Sequence, residues 1–219
     1  NIENSSFRSQ QTWGAAAAAG HFADEIGPVT LKSKKGEVEF ALDEHPKPKT
    51  TIEQLAKLPT VFKKGGVMTA GSASGICDGA AAVIIASEDA VTKHGLKPLA
   101  RIVRYGVAGC EPTIMGIGPV PAISAMLEKT GVSLGEVDQI EINEPFAAQA
   151  LSCQKALDIP MEKFNTCGGA VALGHPLAAS GSRISAHVVH KLRREGQKYG
   201  IGSACIGGGQ GIAILFEKM

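Results

Sequence analysis

Residues 177–216 read LAASGSRISAHVVHKLRREGQKYGIGSACIGGGQGIAILF, and this stretch decides the fold. Ile184, Val188 and Leu192 recur at four-residue spacing, which puts an apolar stripe along one face of a helix from Leu177 to Glu195. Two strands follow, Tyr199 to Ile206 and Ile212 to Phe216, separated by Gly207-Gly208-Gly209-Gln210-Gly211. Working upstream, Phe146 to Leu157 reads as a helix and Val137 to Ile142 alternates like a strand. Pro121 to Lys129 is helical, and Leu99 to Val107 is rich in strand formers. Ser87-Glu88-Asp89 caps a helix ending at Gly95, and the short apolar run Ala80 to Ala86 predicts a buried strand. This alternation implies an α/β layered sheet covered by helices.

Residues 1 to about 66 have another character. Ser5 to Ala19 predicts a helix with Ser5 or Ser6 as N-cap, ended by Gly20. Val29-Thr30-Leu31 and Val38-Glu39-Phe40 flank Lys34-Lys35-Gly36, a hairpin pattern. His45-Pro46-Lys47-Pro48-Lys49 must be extended, because each proline removes a donor and pushes its predecessor out of the helical region. Thr51 to Leu58 gives one or two helical turns before Pro59. The segment reads as a surface excursion without a core of its own.

Composition narrows the function. The chain has 219 residues, 44% of them hydrophobic and 20% charged, enough to bury a sizeable core. Lys plus Arg is 22 against 21 Asp plus Glu, which excludes a nucleic-acid binder or membrane anchor relying on bulk positive charge. No apolar run reaches the roughly 18 residues that a membrane-spanning helix needs, and no signal-peptide pattern is visible. Five cysteines, an odd count, suit a reducing compartment better than a disulfide scaffold. The first residue, Asn1, leads us to expect an incomplete or cleaved chain.

Three loops stand out. In Asn143-Glu144-Pro145-Phe146 an amide and a carboxylate appear where a strand ends, with Pro145 suited to the first turn of the next helix; Asn143 as a simple helix cap is the alternative. In Gly168-Gly169-Ala170-Val171-Ala172-Leu173-Gly174-His175-Pro176, followed by Ser180-Gly181-Ser182-Arg183, backbone is held close on both sides of a histidine; the alternative is a packed core histidine. In Cys205-Ile206-Gly207-Gly208-Gly209-Gln210-Gly211 a strand follows the glycines, so neither a phosphate loop nor a dinucleotide fingerprint fits. What remains is a cysteine at a strand end beside accessible backbone N–H groups, suited to an oxyanion hole, or else a buried structural cysteine. His187 and His190 share a helix face without metal-ligand spacing and are expected to face solvent. Gly71-Ser72-Ala73-Ser74-Gly75 reads as a tight turn that leaves the Ser74 hydroxyl available to a ligand.

These motifs, in this order, closely resemble the thiolase family, and Thr69-Ala70-Gly71, Asp78-Gly79-Ala80 and Gly116-Ile117-Gly118-Pro119-Val120-Pro121 extend the likeness over essentially the whole chain. The resemblance implies a thiolase-like C-terminal domain, a mixed sheet covered by helices, over residues 67–219. It also implies that residues 1–66 are the end of a loop domain that covers coenzyme A. The implied reaction is cleavage of a 3-ketoacyl-CoA by coenzyme A into acetyl-CoA and a shortened acyl-CoA, as in mitochondrial fatty acid β-oxidation. The alternatives are an acetyltransferase forming acetoacetyl-CoA, and a non-catalytic half that binds acyl-CoA or a thiolase subunit.

The same resemblance implies roles. His175 would lie against the reactive thiol of the N-terminal half and, with a water held by Asn143, stabilise the thioester oxygen. Cys205 would exchange a proton with the acetyl carbon or the incoming thiol, and the N–H of Gly207 would serve a second oxyanion hole. Ala70, Ser74, Met115 and Phe146 match positions lining the pantetheine and acyl channel, and Lys47 stands where relatives carry Arg against the adenine. Coenzyme A enters as a substrate, with no resident cofactor and no metal. The implied partners are an N-terminal half and further copies in a homo-oligomer, with no nucleic acid. Pro145, Cys167 and Ala178-Ala179 depart from the residues usual in the family. The nucleophilic cysteine of the family belongs to the other half.

Overall fold

The computed structural model describes residues 1–219. Helix α1 spans Ile2–Ala18, the hairpin strands β1 and β2 span Val29–Ser33 and Gly36–Phe40, and α2 spans Ile52–Ala56. Then come α3 (Glu88–His94), β3 (Ala100–Gly109), a 3-10 turn (Pro112–Ile117), α4 (Pro119–Glu128) and β4 (Gln139–Ile142). The chain finishes with α5 (Ala147–Ala156), α6 (Ala170–Leu173), α7 (Ser180–Glu195), β5 (Tyr199–Ile206) and β6 (Gln210–Lys218). Strands β3 to β6 form one sheet in the order β3-β6-β5-β4, with β4 and β5 parallel and the other pairs antiparallel. The mixed α/β sheet expected from the sequence is present.

A hydrophobic cluster covers each face of this sheet. Ile123 and Met126 of α4 pack with Ile140, Ile201, Ala213 and Leu215. Burying a side chain of that size stabilises the fold by about 1.5–3 kcal/mol. The stripe Ile184, Val188 and Leu192 of α7 packs with Phe216. Alternation along β5 sends Gly200 and Gly202 toward α7, and a Cβ on Gly200 would lie 2.6 Å from Val188 Cγ1. The missing side chains let the helix lie close on the sheet. Strand β4 is buried throughout, and its outer edge is closed by Asn165, whose side chain bonds both N–H and C=O of Ile142 at 2.9 Å.

Ser87 and Gly95 bound α3 as expected, and α2 is capped by Thr51, which forms a reciprocal box with Gln54. The hairpin of β1 and β2 forms with Gly36 at φ +117°. Three expectations fail. Helix α1 begins at Ile2, because Asn1 and not Ser5 or Ser6 caps it through Asn4 N. Pro145 lies before the start of α5, whose N-cap is Phe146. The run Ala80 to Ala86 joins no sheet, and Ile84 and Ile85 are 95% and 75% exposed. An extended apolar run becomes a strand only where another backbone accepts its ladder, and none in this chain lies beside it. No helix is long and apolar enough to cross a membrane.

Segment 1–66 has no hydrophobic cluster of its own, yet α1 is not a loose appendage. Its buried face is polar, with Ser5, Ser6, Ser9 and Gln10 turned inward. Arg8 donates to the carbonyls of Met161 at 2.7 Å and Phe164 at 2.8 Å, fastening α1 to the segment beside β4.

Candidate active site

Strand β4 delivers Asn143 to its carboxyl end, where the Asn143 N–H donates to the Ser203 carbonyl of β5 at 2.8 Å. Asn143 is buried and caps no helix, contrary to the simplest alternative. Its Nδ2 lies 3.2 Å from Nε2 of His175. On the other side of the ring, Nδ1 lies 2.6 Å from the hydroxyl of Ser180, the first residue of α7. That hydroxyl donates to the Pro176 carbonyl at 3.1 Å. A hydroxyl has one proton, so Nδ1 carries the ring hydrogen and Nε2 accepts from Asn143. Burial, with help from the Arg183 charge, lowers the His175 pKa, which keeps the ring neutral at pH 7. Asn143 Oδ1 is buried and has no partner in the chain. That oxygen is free to accept from a donor brought beside it.

Cys205 sits one residue from the end of β5, partly exposed, before Gly207 and the left-handed Gly208 and Gly209. Burial and then the neighbouring Cys110 raise its pKa, so it holds its proton at neutral pH. The Gly207 N–H donates to no group of the chain. The Cys110 N–H donates to Gly209 O at 2.7 Å, and its thiol lies 3.8 Å from the Met115 carbonyl, which holds Met115 beside this glycine turn.

The loop 69–75 completes the rim. Ala73 bridges Phe146, the Ser74 N–H donates to Pro145 O at 2.8 Å, and the His175 N–H donates to Gly75 O at 2.8 Å. Ser74 and Phe146 therefore lie next to the Asn143–His175 pair, with Phe62 edge-on to Phe146 at 5.7 Å. Ala70 and Lys47 are exposed. Lys47 is anchored through its N–H to Gln10 Oε1 at 2.7 Å. No cluster of three His, Cys, Asp or Glu side chains is arranged to hold a metal ion.

Other functional contacts were not foreseen. His187 is buried, not solvent-facing, with Nδ1 2.9 Å from Glu25. Helical spacing alone cannot reveal that α7 is covered on its second side. A cavity of about 280 Å³ lined by Glu25, Asp43, Cys77, Cys167, Arg183 and His187 lies beside Gly174 and Pro176 and includes neither Asn143 nor Cys205. Glu144 is buried and pairs with Ser9.

Comparison with known proteins identifies the family. Residues 96–218 match the family profile "Thiolase, C-terminal domain", and residues 2–89 match "Thiolase, N-terminal domain". The chain is 62% identical over 211 residues to the 3-ketoacyl-CoA thiolase, mitochondrial, of Mus musculus, covering 96% of this chain and 53% of the relative. It is 50% identical to the Escherichia coli 3-oxoadipyl-CoA/3-oxo-5,6-dehydrosuberyl-CoA thiolase, covering 97% of this chain and 54% of that protein. The structure superposes on human mitochondrial 3-ketoacyl-CoA thiolase in complex with CoA with a TM-score of 0.95 and 58% identity, over 100% of this chain and 54% of that one. The Bacillus anthracis acetyl-CoA acetyltransferase gives a TM-score of 0.97 at 47% identity, over 100% of this chain and 55% of the other. The chain spans about half the length of the curated relatives it matches. By profile, sequence and fold together, it belongs to the thiolase family.

Proposed function

We propose that the protein containing this chain cleaves 3-ketoacyl-CoA with coenzyme A, giving acetyl-CoA and a shortened acyl-CoA, in mitochondrial fatty acid β-oxidation. The observation that carries the reading is the relay Ser180–His175–Asn143, which leaves a buried acceptor on Asn143 and a basic nitrogen on His175. A cysteine of the missing half supplies the nucleophile. Once the Asn143 amide hydrogen turns away from it, His175 Nε2 takes the thiol proton, and the sulfur attacks the 3-keto carbon of the substrate. The bond between the second and third carbons then breaks, leaving an acyl thioester on the enzyme and the enolate of acetyl-CoA. The enolate oxygen meets the protonated His175 and a water held by Asn143. Cys205 gives its proton to the enolate carbon, matching a thiol that is protonated at neutral pH. The resulting thiolate takes the proton of incoming coenzyme A, whose sulfur attacks the acyl thioester. The Gly207 N–H receives that second oxyanion, which collapses to the shortened acyl-CoA and expels the nucleophilic cysteine as a thiolate, and His175 returns its proton to that sulfur.

Ser74, Phe146 and Met115 line the pantetheine and acyl path in this reading, with Ala70 and Lys47 further toward the nucleotide. Residues 1–66 serve as the coenzyme-covering part and residues 67–219 as the C-terminal catalytic part. The intact protein is a homo-oligomer. The acetyltransferase reading has the weaker support, because the Syntrophomonas wolfei acetyl-CoA acetyltransferase is 46% identical against 62% for the mouse 3-ketoacyl-CoA thiolase.

The test is thiolysis of a 3-ketoacyl-CoA by the full-length protein and by its Asn143→Ala variant. The variant should lose about 10²- to 10³-fold in kcat, the usual effect of one oxyanion donor. Absence of thiolysis by the unaltered protein overturns the reading.

A further inference from the structure

We infer that Ser9 and Glu144 form a clamp by which α1 positions the catalytic loop, so that both are positioning residues for the reaction proposed above. The clamp is a chain of directed hydrogen bonds. The Gly169 N–H donates to Ser9 Oγ at 2.9 Å, and Ser9 donates onward to Glu144 Oε2 at 2.7 Å. The same carboxylate oxygen accepts from the Val171 N–H at 3.2 Å. Ser9 and Glu144 are both buried, so the exchange is shielded from water and each member strengthens the next.

Its position in the chain gives it leverage. Glu144 follows Asn143 directly, and Gly169 and Val171 open the short helix that runs into Gly174 and His175. The clamp therefore ties together the two segments that bring Asn143 and His175 within 3.2 Å. The packing leaves little play. A Cβ on Gly169 would stand 2.3 Å from Glu144 Oε2, and one on Gly168 would stand 2.7 Å from the Ser9 carbonyl. The next residue of α1 extends the link, since Gln10 donates to Val171 O at 3.2 Å and accepts from the Lys47 N–H at 2.7 Å. One helix face thus connects the segment carrying Lys47 to the residues around the thioester.

Charged groups around Glu144 come from three elements: Arg8 on α1, Glu141 on β4 and Arg183 on α7. Burial opposes ionisation of Glu144, while Ser9, Val171 and Arg8 favour it, and its pKa rises to about 7. The ionised carboxylate is the stronger acceptor, so the clamp tightens as pH rises through neutrality.

The experiment uses the full-length protein and the variants Ser9→Ala, Glu144→Ala and Glu144→Gln. Ser9→Ala and Glu144→Ala should lower kcat for thiolysis at least tenfold while KM for coenzyme A stays within about twofold, an effect confined to the transition state. Glu144→Gln keeps an acceptor oxygen and should recover most of the rate. The ratio of unaltered to Glu144→Gln kcat should rise from pH 6 to pH 8, because the amide does not titrate. If the unaltered protein is active and Ser9→Ala keeps its full kcat, or the ratio is flat with pH, the clamp is refuted. If the unaltered protein shows no thiolysis, the proposed function fails instead. Should Glu144→Ala not fold, the other two variants decide the question.

Discussion

His187 of α7 places Nδ1 2.9 Å from both carboxylate oxygens of Glu25, a residue 162 positions earlier in the chain. The pair joins α7 to the segment that follows α1. Burial disfavours the charged ring, but contacts with Cys167, Glu25 and Glu141 outweigh it and raise the His187 pKa to about 10. A raised folded-state pKa means stability that is complete below the unfolded value of 6.5 and is lost as pH rises through about 10. Denaturant midpoints between pH 6 and pH 10 should therefore fall more steeply for the unaltered protein than for His187→Gln. Equal slopes would show that the pair carries no coupling.

Cys205→Ser in the full-length protein should cut turnover strongly, since a hydroxyl is a far weaker acid than a thiol. Coenzyme A binding should change little, because the side chain is no larger and the glycine turn is intact. Steady-state thiolysis of a 3-ketoacyl-CoA is the measurement, and near-normal turnover would remove Cys205 from the proton-transfer role.

His175→Ala should lower the rate by about 10²- to 10³-fold. The ring is held from both sides, by Ser180 at 2.6 Å and Asn143 at 3.2 Å, so its loss also frees Asn143. A variant changed only in thermal stability would make His175 a packing residue.

The 219 residues alone should show no thiolase activity, since in the proposed mechanism they supply Cys205 for proton transfer and another part of the protein supplies the nucleophile. Their exposed apolar residues include Val83, Ile84 and Ile85 in the unpaired run. Surface of this kind favours self-association or docking onto another thiolase chain. Purified chain should run above its monomer mass of 22.6 kDa, checked by light scattering. A monodisperse, active monomer would mean that another residue here has become the nucleophile.

Much of the fold was legible in advance because its causes are local. The spacing of Ile184, Val188 and Leu192 specified a helix face, and Ser87 and Gly95 bounded α3 within a few residues of each other. The three loops carrying Asn143, His175 and Cys205 were also found from residue types and order. Contacts across the chain decided the rest. Ala80 to Ala86 has the composition of a buried strand, but pairing depends on a neighbouring backbone that no local pattern can report. Asn143 had the chemistry of a helix cap, and only the approach of His175 turned its amide to another use. His187 looked exposed until Glu25 covered it, and nothing local in α1 shows that Ser9 meets Glu144. Periodicity and capping act over one or two turns, whereas the desolvation and pairing of a buried polar group depend on whatever packing brings to it.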